Sequence, residues 1–170
     1  GSVLFIDEAY SILDSGYKGF GDEAISTIIQ EMENNRNDLV VIFAGYPEKM
    51  DSFINSNPGL KSRIQHHIHF DDYSVFELLK ITNYMLNKLN FTITQDAKHL
   101  LTQHFINIKN NKNFGNAREV RNIIEQAITS QLSKLALDED SSLNPEDLIL
   151  KSEDFMFLDE NKKQSIRLIN

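Results

Sequence analysis

A chain of 170 residues and 19.6 kDa has room for one domain or two small ones, and a core of that size forms without covalent staples. It holds no cysteine, which excludes a disulfide framework, Cys-ligated zinc and a thiol nucleophile. The net charge of −8 and the pI near 5.1 argue against a nucleic-acid partner, which would need a basic face. No apolar run reaches the ~18 residues of a membrane span, and the first residues lack signal-peptide character, so the expectation is a cytoplasmic protein with no membrane partner.

Val3-Leu4-Phe5-Ile6 is a continuous apolar run ending in Asp7-Glu8, the pattern of a strand buried on both faces. The loop Asp14–Gly21 follows, glycine-rich from Gly16 on. Ile25, Ile28, Ile29 and Met32 then predict a helix. Leu39–Ala44 reads as a second buried strand, broken by Gly45-Tyr46-Pro47. Met50, Phe53 and Ile54 mark a short helix, Asn57-Pro58-Gly59 a turn, and Ile64–Phe70 a third strand. Strands alternating with helices predict a parallel α/β sheet.

The composition changes after Asp72. Ser74 and Glu77 have capping-box spacing and open a helix with Leu78, Leu79, Thr82, Met85, Leu86 and Leu89 on one stripe. A second helix runs from Gln95 to Ile106. A third is opened by Asn116, with Glu119 three residues on, and carries Val120, Ile123, Ile124, Ala127, Leu132 and Leu135. Asn144-Pro145 starts a short last element. The fold class is therefore α/β with a helical second domain: residues 1–72, 73–155 and a polar tail over 156–170.

An apolar strand ending in Asp-Glu puts two carboxylates at the carboxyl end of a parallel sheet, where open α/β sheets bind ligands. In nucleotide-hydrolysing proteins such an Asp organises magnesium and the Glu polarises the attacking water; the other reading is an acidic turn. Arg63 is either a solvated surface group or an arginine finger offering a planar charge to a phosphate. Arg118 stands in the first turn of its helix, where the dipole disfavours a cation, and off the apolar stripe. Either an anion such as a phosphate meets it, or a neighbouring carboxylate such as Glu119 does. His67 and His69 share a strand face while His66 points away, a poor geometry for metal ligation. Gly16–Gly21 suits a contact loop better than a phosphate loop, because it does not directly join a strand to a helix.

Val3-Leu4-Phe5-Ile6-Asp7-Glu8-Ala9-Tyr10, Asn57-Pro58-Gly59-Leu60 with Ser62-Arg63-Ile64, and Phe114-Gly115-Asn116-Ala117-Arg118-Glu119-Val120-Arg121-Asn122 together resemble the AAA+ ATPases of the CbbX and stage V sporulation protein K type, over about residues 1–155. The resemblance implies half of a nucleotide-binding core followed by a helical lid, with ATP and magnesium as cofactors. It implies that Asp7 and Glu8 are the Walker B pair, with Asp7 reaching magnesium through water, and that Arg63 is the arginine finger. Arg118 matches the sensor-2 arginine of the lid, and the Gly16–Gly21 loop the second pore loop. Tyr46 stands at the sensor-1 position, where the family usually carries Asn, Thr or Ser. A homo-oligomeric ring with intersubunit sites and a protein client are the partners implied. A non-catalytic assembly or adaptor module and a DNA-acting AAA+ protein are the competing readings.

One family feature is missing. A Walker A loop needs Gly-Lys-Ser/Thr, and the seven glycines are followed by Ser2, Tyr17, Phe20, Asp22, Tyr46, Leu60 and Asn116. The resemblance puts the Walker A loop, its strand and the first pore loop upstream. It also puts that strand between Leu39–Ala44 and Ile64–Phe70. The expectation is a 170-residue chain that is inactive alone and that rearranges, swaps or self-associates through its unpaired strands.

Overall fold

The computed structural model describes residues 1–13, 20–111, 114–136 and 144–158. The pore-loop match at 16–21 lies largely outside them, as does the tail from 159 onward. The chain divides into two compact units, Gly1–Phe70 and Asp71–Asn170, each described by itself.

In the first unit the apolar run forms strand β1 (Ser2–Ile6), and helix α1 (Phe20–Asn34) leads to β2 (Leu39–Phe43). The strands pair in parallel, Val3 opposite Val40 and Phe5 opposite Ile42, as a helical crossover requires. Helices α2 (Pro47–Ser56) and α3 (Pro58–Arg63) follow. Side chains alternate across a strand, so Ile6 and Phe43 share one face. They pack on a core of Ala9, Tyr10, Ile25, Phe53, Ile54 and Leu60, with the Phe43 and Phe53 rings 5.7 Å apart. The opposite face is bare: Val3, Phe5, Val40 and Ile42 are 67, 59, 56 and 43% exposed. The sheet is thus covered on one face, not two.

Two further expectations are corrected. Asn57-Pro58-Gly59 is a helix start rather than a turn: the Asn57 side chain accepts from the Gly59 N–H at 2.8 Å, and Pro58, at the first helical position, has no N–H to leave unsatisfied. Residues 64–70 form no strand, and among the described residues the first unit's sheet has two strands, not three. Ile68 and Phe70 lie exposed. The neighbour strand that the family resemblance assigns to this segment is not among those of the described residues, and an apolar sequence without a ladder partner does not become a strand.

The second unit consists of α4 (Val75–Lys88), β3 (Thr92–Ile93), α5 (Gln95–Ile108), α6 (Ala117–Leu135) and β4 (Ile149–Leu150), with 3-10 turns at Pro145–Leu148 and Ser152–Phe155. The β3–β4 pair, parallel and two residues long, has no counterpart in the sequence reading. Leu78, Leu86, Leu101, Phe105, Val120 and Ile124 close the core together with Leu150, Phe155 and Leu158. That core reaches past the boundary set at 155, because Phe157 and Leu158 pack on it. Leu89 and Leu132, placed on the apolar stripes, are instead half exposed.

Asp154 is fully buried yet satisfied. Its Oδ1 meets Lys134 Nζ at 2.6 Å and its Oδ2 accepts from the Lys151 N–H at 2.8 Å. A buried carboxylate needs such partners.

Candidate functional site

Asp7 and Glu8 stand just past the carboxyl end of β1. The ladder continues beyond the strands: the Ala44 N–H donates to Ile6 O at 2.9 Å, and the Ala9 N–H to Ala44 O at 3.1 Å. The acidic turn is thereby fixed beside Gly45-Tyr46. Glu8 has φ 46° and ψ 47°, a left-handed conformation that non-glycine residues seldom adopt and that clusters at functional sites. Its N–H donates to Asp7 Oδ1 at 3.0 Å, which anchors that carboxylate against its own backbone. Both side chains are exposed, and among the described residues neither forms an ion pair.

Tyr10 is the member of this cluster to which sequence reasoning assigned no role. Its ring is buried in the core, with Lys49 Nζ 4.7 Å from the ring centre. Burial pushes its phenol above the ordinary 10.0, and the charges of Glu8, Tyr46 and Asp7 and a hydrogen bond to Glu8 push the same way. Tyr10 thus couples electrostatically to all three predicted groups at the strand ends. Gly45 makes room for the ring, since a Cβ there would sit 2.6 Å from Tyr10 Cε1 and 3.0 Å from Met50 Sδ. Tyr46 itself is exposed and N-caps α2 through its backbone, followed by Pro47.

Arg63 is the last residue of α3, a favourable place for a cation. Its guanidinium lies 3.2 Å from Glu33 Oε2, and its buried Nε has no hydrogen-bond partner among the described residues. Glu33 is the second residue without a sequence signal, because its partner arrives from a later helix.

Arg118 belongs to the second unit. It is exposed in the first turn of α6, and among the described residues its guanidinium forms no ion pair, with Glu119 or any other carboxylate. Asn116 occupies the N-cap of α6 but makes no side-chain cap bond, contrary to the sequence reading. Its Oδ1 accepts from the Tyr73 N–H at 2.9 Å and its Nδ2 donates to Asp72 Oδ1 at 2.6 Å. The structure therefore gathers Asp7, Glu8 and Tyr46 at one end of the β1–β2 pair. It ties Arg63 to Glu33 and leaves Arg118 open on the second unit.

The donor set at the strand ends suits a hard divalent ion that keeps most of its water. Two exposed carboxylates are present, and among the described residues no group of three His, Cys, Asp or Glu forms a cage, His66, His67 and His69 included. A triphosphate is only partly provided for, since no Gly-Lys-Ser/Thr occurs in the chain.

Comparison with known proteins bears directly on this arrangement. Residues 1–72 match the family described as the ATPase family associated with various cellular activities (AAA), and residues 74–165 match the AAA lid domain. The chain belongs to the AAA family of ATPases. Among its AAA relatives, Protein CbbX of Cereibacter sphaeroides is 46% identical over 136 residues, 79% of this chain and 44% of that protein. Stage V sporulation protein K of Bacillus subtilis (strain 168) is 38% identical over 163 residues, 94% of this chain and 50% of that protein. The chloroplastic ribulose bisphosphate carboxylase/oxygenase activase of Cyanidioschyzon merolae (strain NIES-3377 / 10D) is 40% identical over 158 residues, 92% of this chain and 54% of that protein. The chain spans about half the length of the curated relatives it matches. Among the described residues no helix is long and apolar enough to cross a membrane.

Proposed function

We propose that this chain is the C-terminal part of an ATP-hydrolysing, protein-remodelling AAA ATPase that works in the cytoplasm as a homo-oligomeric ring. In this reading residues 1–72 are the C-terminal half of the nucleotide core and 73–155 the lid. Asp7 holds magnesium through water, Glu8 orients the attacking water, and Tyr46 stands at the sensor-1 position. Arg118 meets the γ-phosphate in its own subunit and Arg63 the phosphate of a neighbour. Bound magnesium supplies the charge that offsets the developing negative phosphate.

The observation that carries this reading is the Asp7-Glu8 pair at the carboxyl end of a parallel strand, without an ion pair among the described residues and held in a left-handed turn. The open Arg118 supports it, since a cation set against the helix dipole favours an anionic partner. The name of the Cyanidioschyzon relative, an activase of another enzyme, supports a protein client. The chain alone lacks the backbone grip on phosphate that a Walker A loop supplies, so it is inactive by itself.

The test joins this chain to a Walker A-bearing N-terminal half, such as that of the Cereibacter relative, and measures ATP turnover. The expected result is magnesium-dependent hydrolysis, abolished in Glu8→Gln and lowered about 10³-fold or more in Arg63→Ala. The 170-residue chain on its own is expected to show none at millimolar ATP. Full turnover in Glu8→Gln overturns the assignment of the water-orienting group; turnover by the isolated chain overturns the inactive-fragment reading.

A further inference from the structure

Asn116 stands where a helix N-cap is expected, yet it spends its carboxamide elsewhere. Both of its polar atoms are used, by residues 43 and 44 positions earlier in the chain. The Tyr73 N–H can only donate and the Asp72 carboxylate accepts, so the orientation of the amide is fixed by its partners. The bond to Asp72, at 2.6 Å, is charge-assisted and among the stronger kinds.

The backbone makes the same point. Asn116 has φ 52° and ψ −126°, a conformation easy for glycine and strained for a side-chain-bearing residue. A glycine sits one position earlier, at Gly115, so the strain is borne at the residue whose side chain makes the bridge. Strain of this kind persists where surrounding contacts over-determine it. On the other side of the bridge, the next amide is also held: the Ser74 N–H donates to Glu77 Oε2 at 2.8 Å. Asp72, Tyr73 and Ser74 are thus pinned from two helices, α6 through Asn116 and α4 through Glu77.

We propose that Asn116 is a positioning residue: its carboxamide clasps Asp72 and Tyr73 to the turn that carries Arg118, so that the first residues of the second unit and that turn move as one piece. Its importance for turnover rests on the reading of Arg118 as a phosphate-binding group. Arg118 lies two residues beyond the clasp, and its N–H donates to Gly115 O at 3.0 Å, within the same turn. A change in the backbone at 71–73 therefore reaches Arg118 through a single side chain rather than through the lid core.

Amide exchange and ¹H–¹⁵N spectra of the 170-residue chain test the clasp without nucleotide. Asn116→Ala is expected to speed exchange at Tyr73 about tenfold, the loss of one good hydrogen bond, and to shift the Arg118 amide signal. Asn116→Gly relieves the backbone but lacks the carboxamide, so it must show the same loosening at Tyr73, and it decides the matter if the alanine variant fails to fold. Asp72→Ala is expected to shift the Arg118 signal as well, whereas Asp72→Asn keeps an acceptor and restores the native signal. Native exchange at Tyr73 in Asn116→Gly, or an unmoved Arg118 signal in Asp72→Ala, overturns the proposal. Arg118→Ala in the ATP-competent joined protein separates the two readings: unchanged turnover there removes the phosphate role of Arg118 and leaves the clasp, read by Tyr73 exchange, standing.

Discussion

Glu33, near the end of α1, holds Arg63, at the end of α3, through an ion pair of 3.2 Å. The two side chains are 54% and 33% exposed, so solvent screens the pair and its net worth is about 0.2–1 kcal/mol. Glu33→Gln is therefore expected to cost about 1 kcal/mol or less in chemical denaturation. Among the described residues, the same substitution leaves the guanidinium only its 3.5 Å contacts to Gly59 O and Ser62 Oγ, and the Arg63 Nε–H signal is expected to sharpen. A loss of 3 kcal/mol or more (the scale of a broken buried pair) would show that the ion pair is a core interaction instead.

Tyr10 supplies a second prediction, at alkaline pH. Its folded pKa lies above 10.0, raised first by burial. A phenol whose pKa rises on folding contributes stability that is complete below the unfolded value and lost as pH climbs through the folded one. Spectrophotometric titration is expected to show a tyrosine step above 10.0, and Tyr10→Phe should remove that step together with the steepest alkaline loss of stability. Gly45→Ala tests the same contact sterically. A methyl group 2.6 Å from the Tyr10 ring overpacks the site and is expected to cost about 1–3 kcal/mol.

Acid acts on the other unit. The Glu77 carboxyl titrates below its ordinary range, chiefly because it accepts from the Ser74 backbone N–H and hydroxyl, with Lys80 adding a favourable charge. For a lowered carboxylate the stabilisation is present above the unfolded pKa of about 4.3 and disappears as pH falls through the folded value. The start of α4 should therefore fray in that window, with the protection of the Ser74 amide against exchange, relative to an unstructured amide at the same pH, falling on acidification. Glu77→Gln, which keeps the capping-box shape without the charge, should flatten this pH dependence.

Lys134 and Asp154 give the largest expected effect. Asp154 is fully buried and Lys134 is its only cationic partner among the described residues. Removing the ammonium leaves a buried carboxylate without its counter-charge, so Lys134→Ala is expected to destabilise the lid by about 3 kcal/mol. Asp154→Asn, which removes the buried charge itself, should cost less. Equal losses in the two variants would show that the contact acts through packing and not through charge.

Much of this was legible in the sequence where the signal is local. The Ser74–Glu77 capping box, the apolar stripes of α4, α5 and α6, and the two strands that lead into Asp7-Glu8 and Gly45 all depend on neighbours a few residues away. Several of the failures depended on a partner distant in sequence. Asn116 has the composition and spacing of a cap, and only its distant partners Asp72 and Tyr73 reveal its other use. Asn57 and Pro58 favour turns and helix starts alike, so only the ladder of α3 decides between them. An apolar run such as Ile64–Phe70 announces a strand but cannot say which chain segment must lie beside it.

The bare face of the β1–β2 pair has a calorimetric consequence. Heat capacity rises on unfolding in proportion to the apolar surface newly given to water. Val3, Phe5, Val40 and Ile42 are already wet in the folded first unit, so melting it adds little there. That unit should unfold with a heat-capacity increment below the usual ~12–15 cal/mol/K per residue and with a correspondingly shallow denaturant slope. The second unit, which closes a larger core, should melt later and more steeply, so that a chain of this modest length gives two transitions where one is the rule.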